Sequence, residues 1–306
     1  MLRLSVILPT FNPQIARLAQ TLNGLKTQTL NRILWELIIV DNNSSNNFID
    51  KIDLNWHPRA KIKLELTQGL TYARMKGFRE AKGEIIVLVD DDNILNENYL
   101  KEALDLFDNF TKLGAAGGKS IPIFESQEPT WLNQFYPTLA LRDLGGKAII
   151  NSWKNSYPPS APIGAGMVIR KNALNSYIEK INLGKSVISD RRGKFLSSGG
   201  DNDIVLEILK SGWLTGYFPS LKLFHIIPKD RMSVSYLSRL NNNSSKSWIK
   251  LLDSHGISPW KKIALWTVPL RKSKAWFANK AWKNNVNYIK WRGACGMFDG
   301  MSEKEL

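Results

Sequence analysis

Residues 84–92 read Glu-Ile-Ile-Val-Leu-Val-Asp-Asp-Asp, so five aliphatic residues are followed directly by three carboxylates. A short aliphatic run that ends in turn residues is typical of a strand buried on both faces of a sheet. Three adjacent carboxylates repel one another unless a cation or strong hydrogen-bond donors offset their charge. A solvated acidic turn is the alternative, because aspartate is an ordinary turn residue. We predict a buried strand that ends at a site for Mn²⁺ or Mg²⁺, whose preferred ligands include carboxylates.

Similar aliphatic runs occur upstream of this stretch, at 4–8, 36–40 and 62–66. The segments 14–27 and 70–81 between them carry apolar residues at helical spacing. This alternation predicts an α/β fold, Rossmann-like, in which helices flank a mostly parallel central sheet. Polar residues follow each strand, and in such sheets ligands bind beyond the carboxyl ends of the strands. We therefore expect four polar strand ends to face one edge.

The pattern continues less regularly after residue 95. We predict a helix at 96–109, strands at 115–120 and 165–169, a helix at 203–210, and a pair of strands at 214–218 and 221–225. The C-terminal part is expected to be helical at 233–250 and 259–292, with the asparagine run at 241–243 interrupting the first of these segments.

Composition limits the class of protein. The chain has 306 residues, 43% of them apolar, which is enough for a continuous core. A single cysteine, Cys295, excludes an intrachain disulfide and favours a reducing compartment. We expect no secretory signal and no membrane-spanning helix, because the apolar runs are too short for either. The predicted location is the cytoplasm, with peripheral contact to the inner face of the cell membrane as an extension of that hypothesis.

The C-terminal segment 231–306 has a different composition from the rest. It contains 14 lysines and arginines against four acidic residues, and six of the 11 tryptophans. The basic, tryptophan-rich stretch 259–292 is typical of helices that lie at a membrane surface. A helical cap on the preceding α/β domain and a homo-oligomer interface are the alternatives. Nucleic acid fits poorly as a partner, because no recognised nucleic-acid motif accompanies the basic residues.

The ordered set of motifs resembles the family 2 glycosyltransferases, which have a GT-A fold and an Asp-x-Asp motif. The matching stretches are Val-Ile-Leu-Pro-Thr-Phe-Asn at 6–12, Val-Asp-Asn-Asn-Ser at 40–44, Gly69 with Ala73-Arg74, Gly83-Glu84, Asp90-Asp91-Asp92 and a second block at 164–225. The resemblance implies a GT-A catalytic domain at 1–230. Its halves would be 1–110 for the nucleotide sugar and 111–230 for the acceptor, with 231–306 as a helical, basic extension.

The resemblance also assigns donor contacts. Thr10, Asn12 and Asp41 would line the nucleoside pocket, and Asp90 would lie on the ribose side. Asp91 is a further donor contact or only a shaper of the turn. Arg74 would add positive charge near the phosphates, and a surface position is the alternative for it. Arg231 is a further candidate by its position alone, because it follows His225 closely, where a cation could reach the diphosphate or the acceptor.

Three further residues carry the chemistry that the resemblance implies. Gly199-Gly200-Asp201-Asn202-Asp203 resembles the family's Gly-Glu-Asp-x-Asp/Glu pattern, although Gly200 replaces the glutamate. Asp201 would be the catalytic base that deprotonates the acceptor hydroxyl, or alternatively an N-cap. Asp92 and His225 would hold the metal, and an imidazole ligand suits Mn²⁺ better than Mg²⁺.

The predicted function is that of an inverting glycosyltransferase. It would move a sugar from a nucleoside-diphosphate sugar to a hydroxyl of a glycan or lipid-linked acceptor, as family members that build bacterial surface polysaccharides do. A nucleotidyltransferase is one alternative, but residues 9–13 do not form the glycine-rich phosphate loop that it would need. A non-enzymatic module that binds membrane or nucleic acid is the other, and it leaves Asp201 and the three aspartates without a role.

Overall fold

The parallel part of the sheet comes from the N-terminal third of the chain. A computed structural model describes residues 1–185 and 199–302. The first four strands are β1 (Leu4–Thr10), β2 (Trp35–Asp41), β3 (Ala60–Leu64) and β4 (Ile85–Leu88). They run parallel in the order β3-β2-β1-β4. Every residue of β1, β2 and β4 is buried, which explains their continuous aliphatic sequences.

Helices cover both faces of this sheet and create two cores. On one face, α1 (Ile15–Lys26) and α3 (Tyr99–Asn109) pack against one alternating set of strand side chains, such as Val6 and Val87. On the other face, α2 (Leu70–Glu80), α4 (Asn175–Asn182) and α5 (Gly200–Lys210) pack against the alternate set, such as Ile7 and Leu88. The predicted α/β architecture with flanking helices is confirmed.

The remaining strands extend the sheet in antiparallel fashion. They are β5 (Asn93–Leu95), β6 (Leu113–Phe124), β7 (Ile149–Asn151), β8 (Val168–Arg170) and β9 (Leu214–Ile227). The order β3-β2-β1-β4-β8-β6-β9-β5 makes β8 the neighbour of β4, and β7 pairs with β9 off this path. On the far side of the sheet, β5 pairs with β9 so that Asn93 lies opposite His225. This pairing brings the residues after β4 next to the end of β9.

One prediction about the antiparallel strands was wrong. The two strands predicted at 214–218 and 221–225 are a single strand, β9, that continues through Pro219 and Ser220. Gly118 of β6 makes this continuity compatible with close packing, because a Cβ at that position would lie 1.9 Å from the Leu221 carbonyl oxygen. A glycine therefore allows the backbones of β6 and β9 to approach where the proline would otherwise indicate a turn.

The described residues divide into two compact units. The first comprises Met1–Ile123, Ala140–Lys185 and Ile204–Ile226, and it contains the sheet. The second comprises Phe124–Leu139, 199–203 and 227–302. Its helices are α6 (Val234–Ser254), α7 (Val268–Ala278) and α8 (Asn285–Ser302), so the predicted C-terminal helices are present. The domain division at residue 230 stays a prediction.

Within the second unit, α6 and α8 pack at very close range. Gly296 of α8 lies against the backbone of Asn242, where a Cβ would be 2.0 Å from the carbonyl oxygen. The Asn241 side chain donates to the Ile289 carbonyl at 3.0 Å, and the Asn242 side chain donates to the Arg292 carbonyl at 2.9 Å. The asparagine run expected to interrupt this helix instead lies inside a continuous α6, because its side chains hydrogen-bond across to α8 rather than to their own backbone.

Within 1–185 and 199–302, no helix combines the length and the apolar character required to cross a lipid bilayer.

Candidate active site

Hydrogen bonds tie together the loops that follow β1 and β2. Asn12 adopts the left-handed conformation, with φ of 48°, which asparagine tolerates better than most residues. Its backbone N–H donates to Ser44 Oγ at 2.8 Å, and its side-chain oxygen accepts from the Ser45 N–H at 2.7 Å. Asp41 Oδ1 accepts from the Ser44 N–H at 2.9 Å. Asn12 and Asp41 therefore hold the same loop from two sides.

A buried asparagine connects this loop to the start of α2. The Asn42 amide nitrogen donates to the Thr67 carbonyl at 2.7 Å, and its oxygen accepts from the Gly69 N–H at 2.7 Å. Gly69 has φ of 141°, a conformation that residues with a Cβ rarely adopt. Sequence reasoning placed Asn42 among the polar residues after β2 but did not single it out, because three consecutive polar residues there have the same turn propensity.

The end of β1 is also linked to the aspartate run. Thr10, the last residue of β1, donates through Oγ1 to Asp91 Oδ2. Asp90 contributes its carbonyl oxygen, which accepts from the Asn93 N–H at 3.0 Å and closes the turn after β4. Of the two residues, Asp90 thus has the backbone contact that shapes the turn, while the Asp91 carboxylate reaches across to the neighbouring strand.

The two predicted metal ligands lie side by side. Asp92 Oδ1 and His225 Nε2 are 3.5 Å apart, and both side chains are more than nine-tenths buried. The β5–β9 pairing holds them there, since the Ile226 N–H donates to the Asp92 carbonyl at 2.9 Å. The Asn93 side chain adds a hydrogen bond to Asp92 Oδ1 at 3.1 Å. A backbone ladder therefore positions the pair.

This pair fits a divalent cation. Ligand atoms about 2.1 Å from a metal stand about 3 Å from each other when they occupy adjacent octahedral positions. The separation of 3.5 Å between the Asp92 and His225 atoms is close to that value. A carboxylate with an imidazole is a ligand set that Mn²⁺ accepts readily. That Asp92 and His225 hold such an ion stays a prediction.

Arg74 belongs to α2 and is only 2% exposed. The alternative of a surface arginine is therefore wrong. A buried guanidinium is costly unless anionic or polar groups face it, so its burial within the first unit is consistent with an electrostatic role there.

Asp201 and Arg231 belong to the second unit. Asp201 is the second residue of α5, which begins at Gly200, so it lies inside the first turn rather than at the N-cap. A carboxylate in that turn interacts favourably with the helix dipole. Arg231 lies in the short 3₁₀ helix Lys229–Met232.

A buried carboxylate–imidazole pair lies in the same unit, two residues beyond Asp201. Asp203 Oδ1 and His255 Nε2 are 2.7 Å apart, and both side chains are almost fully buried. The sequence does not predict this contact, because nothing local in it connects His255 to Asp203.

A different carboxylate anchors the amino end of the strands. Glu36 Oε1 accepts from Ser5 Oγ and from the Lys82 N–H, each at 2.7 Å, and Lys61 lies 3.0 Å from Oε2. Burial raises the pKa of Glu36, but these donors outweigh it and hold the pKa below its usual value. Because it lies at the opposite end of β2 from Asp41, this network supports the sheet and does not belong to the site.

The fold and the strand-end site together define a GT-A protein. Staphylococcus aureus TarS 1-349 in complex with UDP-GlcNAc has a similar fold, with a TM-score of 0.57 at 15% identity, over 97% of this chain and 90% of that chain. The complex of the same fragment with UDP gives a TM-score of 0.55 at 16% identity, over 97% and 89% of the two chains. The GT-A fold expected from the sequence is confirmed.

The chain belongs to glycosyl transferase family 2, whose family model matches residues 5–177. Poly(ribitol-phosphate) beta-N-acetylglucosaminyltransferase TarS of S. aureus Mu50 is 26% identical over 134 residues, which cover 40% of this chain and 23% of TarS. The corresponding enzyme TarP of S. aureus N315 is 32% identical over 142 residues, covering 41% and 42%. An N-acetylglucosaminyltransferase of Azorhizobium caulinodans is 22% identical over 230 residues, covering 74% and 55%. The chain thus matches less than two thirds of the length of each of these relatives.

Proposed function

We propose that this protein transfers a sugar from a nucleoside-diphosphate sugar to a hydroxyl group of a glycan or lipid-linked acceptor. The observation that carries the proposal is the convergence of the ends of β1, β2 and β4 on a carboxyl edge with the buried Asp92–His225 pair. Ligands of open α/β sheets bind at such edges. Family membership and the nucleotide-sugar complex of TarS support the same conclusion.

The proposal includes the donor contacts. Thr10, Asn12 and Asp41 hold the nucleoside, with Asp41 as the acceptor for a nucleobase N–H. Asp90 and Asp91 contact the donor beside them, while Arg74 and Arg231 offset phosphate charge. UDP-GlcNAc is the first donor to test, because TarS was captured with it and TarS, TarP and the A. caulinodans relative are named as N-acetylglucosaminyltransferases.

Asp92 and His225 hold a Mn²⁺ or Mg²⁺ ion in this proposal. When bound, the ion supplies neutralisation of the negative charge that develops on the departing nucleoside diphosphate. The two side chains keep the ion-binding atoms fixed, since β5 and β9 determine their positions. Their burial also excludes water, which strengthens the interaction with charge.

Asp201 acts as the base in the same proposal. Its carboxylate takes the proton of the acceptor hydroxyl as that oxygen bonds to the anomeric carbon, and the nucleoside diphosphate leaves from the opposite face. A single displacement of this kind inverts the anomeric configuration. The protein works in the cytoplasm, where nucleotide sugars are made, and contributes to building a surface polysaccharide.

A donor screen tests the proposal. The protein is incubated with UDP-, GDP- and dTDP-sugars, with and without Mn²⁺ and a mixture of glycan acceptors, and nucleotide release is measured. We expect release with one nucleotide class that requires the metal and increases with acceptor. Absence of turnover, together with absence of metal-dependent nucleotide binding, would contradict the proposal.

Variants separate the roles of the two aspartates. Asp201→Asn should retain donor binding and lose about 10²- to 10⁴-fold in transfer, the usual contribution of a positioned base. Asp92→Asn should instead weaken metal-dependent donor binding. Asp105→Asn is the matched control, because Asp105 is an exposed carboxylate on α3. Normal transfer by Asp201→Asn would show that the base is another residue.

A further inference from the structure

Helix α7 is already fixed to the second unit by one of its faces. Val268 and Ala275 on this inner face are buried. Trp276 packs edge-on against Trp291 of α8 with ring centres 4.7 Å apart, and Lys272 forms an ion pair with Asp299 at 2.6 Å. These contacts account for the folding of α7, so its other side chains are not needed to hold it in place.

The opposite face of α7 is apolar as well, although it faces water. Trp266, Leu270 and Phe277 follow one another at intervals of four and seven residues, which places them on one stripe of the helix and the turn before it. They are 77%, 68% and 64% exposed. We call these three residues the outer stripe. Trp282 contacts Phe277 with ring centres 5.8 Å apart and is itself 59% exposed, so it extends the apolar surface. Exposed apolar groups that lie on one face of a helix mark a candidate binding surface.

The surroundings of the outer stripe are uniformly basic. Residues 259–292 contain nine lysines and arginines and no acidic residue. Two of the nine are paired with acidic residues outside this range, Lys262 with Asp253 and Lys272 with Asp299. Arg271 and Lys274 lie on α7 beside the stripe and are exposed to solvent. The surface therefore combines exposed aromatic rings with cations, and residues 259–292 contain no carboxylate that could offset their charge.

This combination selects one kind of partner. A polyanion such as nucleic acid would engage the cations through its phosphates but leave the outer stripe in water. A second copy of the chain would cover the stripe but bring two strongly cationic surfaces together. An anionic lipid surface satisfies both features, because indole and phenyl rings settle at headgroup depth while lysine and arginine meet the lipid phosphates.

We propose that the outer stripe of α7, with Arg271 and Lys274, binds the surface of an anionic membrane. The helix lies in the interface and does not cross it. This surface belongs entirely to the second unit, and its binding to lipid is measured without any sugar donor. Failure of the transfer hypothesis therefore leaves the membrane inference intact, and the reverse also holds.

Vesicle cosedimentation of the full chain tests the inference. The vesicles are phosphatidylcholine alone or equal parts of phosphatidylcholine and phosphatidylglycerol, each at low and at high salt. We expect binding to the anionic vesicles only, and weaker binding at high salt because the charges are screened. Equal binding to both kinds of vesicle, or no binding to either, would overturn the proposal.

Two double variants with matched controls locate the surface. Trp266→Ser with Phe277→Ser should weaken vesicle binding at least about tenfold, because two large apolar groups no longer leave water. Arg271→Gln with Lys274→Gln should weaken it about fivefold for each charge removed. The controls are Ile33→Ser with Ile49→Ser, and Lys26→Gln with Lys101→Gln, which change exposed residues of the first unit and should bind like the parent chain.

Light scattering and a polyphosphate competitor distinguish the other partners. One outcome is that the parent chain is an oligomer, the Trp266→Ser/Phe277→Ser variant is a monomer, and neither protein binds vesicles. The stripe is then a self-association surface and the proposal is wrong. If polyphosphate binds and both double variants bind vesicles like the parent, the cations serve a polyanion and the proposal is again wrong. Retained far-ultraviolet circular dichroism in each variant confirms that only the surface was changed.

Discussion

Replacing Gly296 by alanine should destabilise the second unit, although alanine is the better helix former. A Cβ at position 296 would lie 2.0 Å from the Asn242 carbonyl oxygen and 2.8 Å from its carbon, whereas such contacts in proteins are rarely under 3.0 Å. Both partners are backbone atoms inside long helices, so no side-chain rotation relieves the clash. The two helices must separate locally by about 1 Å.

The cost of this separation can be estimated from the contacts that it lengthens. The hydrogen bonds from Asn241 and Asn242 to α8 measure 3.0 and 2.9 Å, and both become ineffective when the helices move apart. Their loss costs about 1 kcal/mol each, and the overpacking costs about 1–3 kcal/mol. The gain in helix propensity returns about 1 kcal/mol. The expected net loss is about 2–4 kcal/mol.

Urea unfolding followed by circular dichroism measures this loss. With a denaturant slope of about 3 kcal/mol per M, the midpoint for α-helical signal should fall by about 1 M. Gly293→Ala should cost less, because its Cβ would meet the movable Asn241 side-chain nitrogen at 2.6 Å. Gly146→Ala, with no atom within 4 Å of its Cβ, should be neutral or slightly stabilising. If Gly296→Ala were as stable as Gly146→Ala, the close approach of α6 and α8 would be wrong.

Three further predictions concern the first unit. Glu36→Gln should cost about 2 kcal/mol of unfolding free energy at neutral pH. Because the folded pKa of Glu36 lies below the usual 4.5, the stability difference between parent and variant should vanish as the pH falls from above 4.5 through the folded pKa. Urea midpoints measured over about pH 3–7 will show this loss. His57 should stay neutral until its pKa of about 4, which burial and the nearby Arg32 and Arg59 lower from 6.5, so its imidazole NMR signal should not shift near pH 6. A signal that titrated near 6.5 would refute the burial of this ring. Asn42→Ala should cost about 2 kcal/mol by leaving the Thr67 carbonyl and Gly69 N–H without their partner, whereas the exposed Asn23→Ala should change the urea midpoint little.

The sequence was most informative where structure is decided locally. The aliphatic runs predicted β1, β2 and β4, because a strand covered on both faces needs apolar residues at every position. Helical spacing predicted α1 and α2 to within one or two residues of their observed ends. The polar residues after these strands were correctly expected at one edge of the sheet, since parallel neighbours must end on the same side.

Features that depend on contacts between residues far apart in the sequence could not be predicted from local patterns. Strand β5 has only three residues, too few for a periodic pattern, and it forms only because β9 lies beside it. The turn signal of Pro219 was overridden by the close approach at Gly118, which is far away in sequence. The Asp203–His255 contact likewise joins two segments with no shared motif. In each case the deciding information is a tertiary contact rather than a local propensity.

The antiparallel register of β5 on β9 determines which length changes the chain can tolerate. Deleting one residue between 221 and 225 would turn His225 to the other face of the sheet, away from Asp92. Deleting two would restore the face but displace the imidazole by about 7 Å. A library of single-residue deletions should therefore retain metal-dependent donor binding when the loss falls in the loop at 144–147, and lose it throughout this short interval. The loops around the site can therefore change in length, whereas β9 cannot, because its register sets the position of His225 beside Asp92.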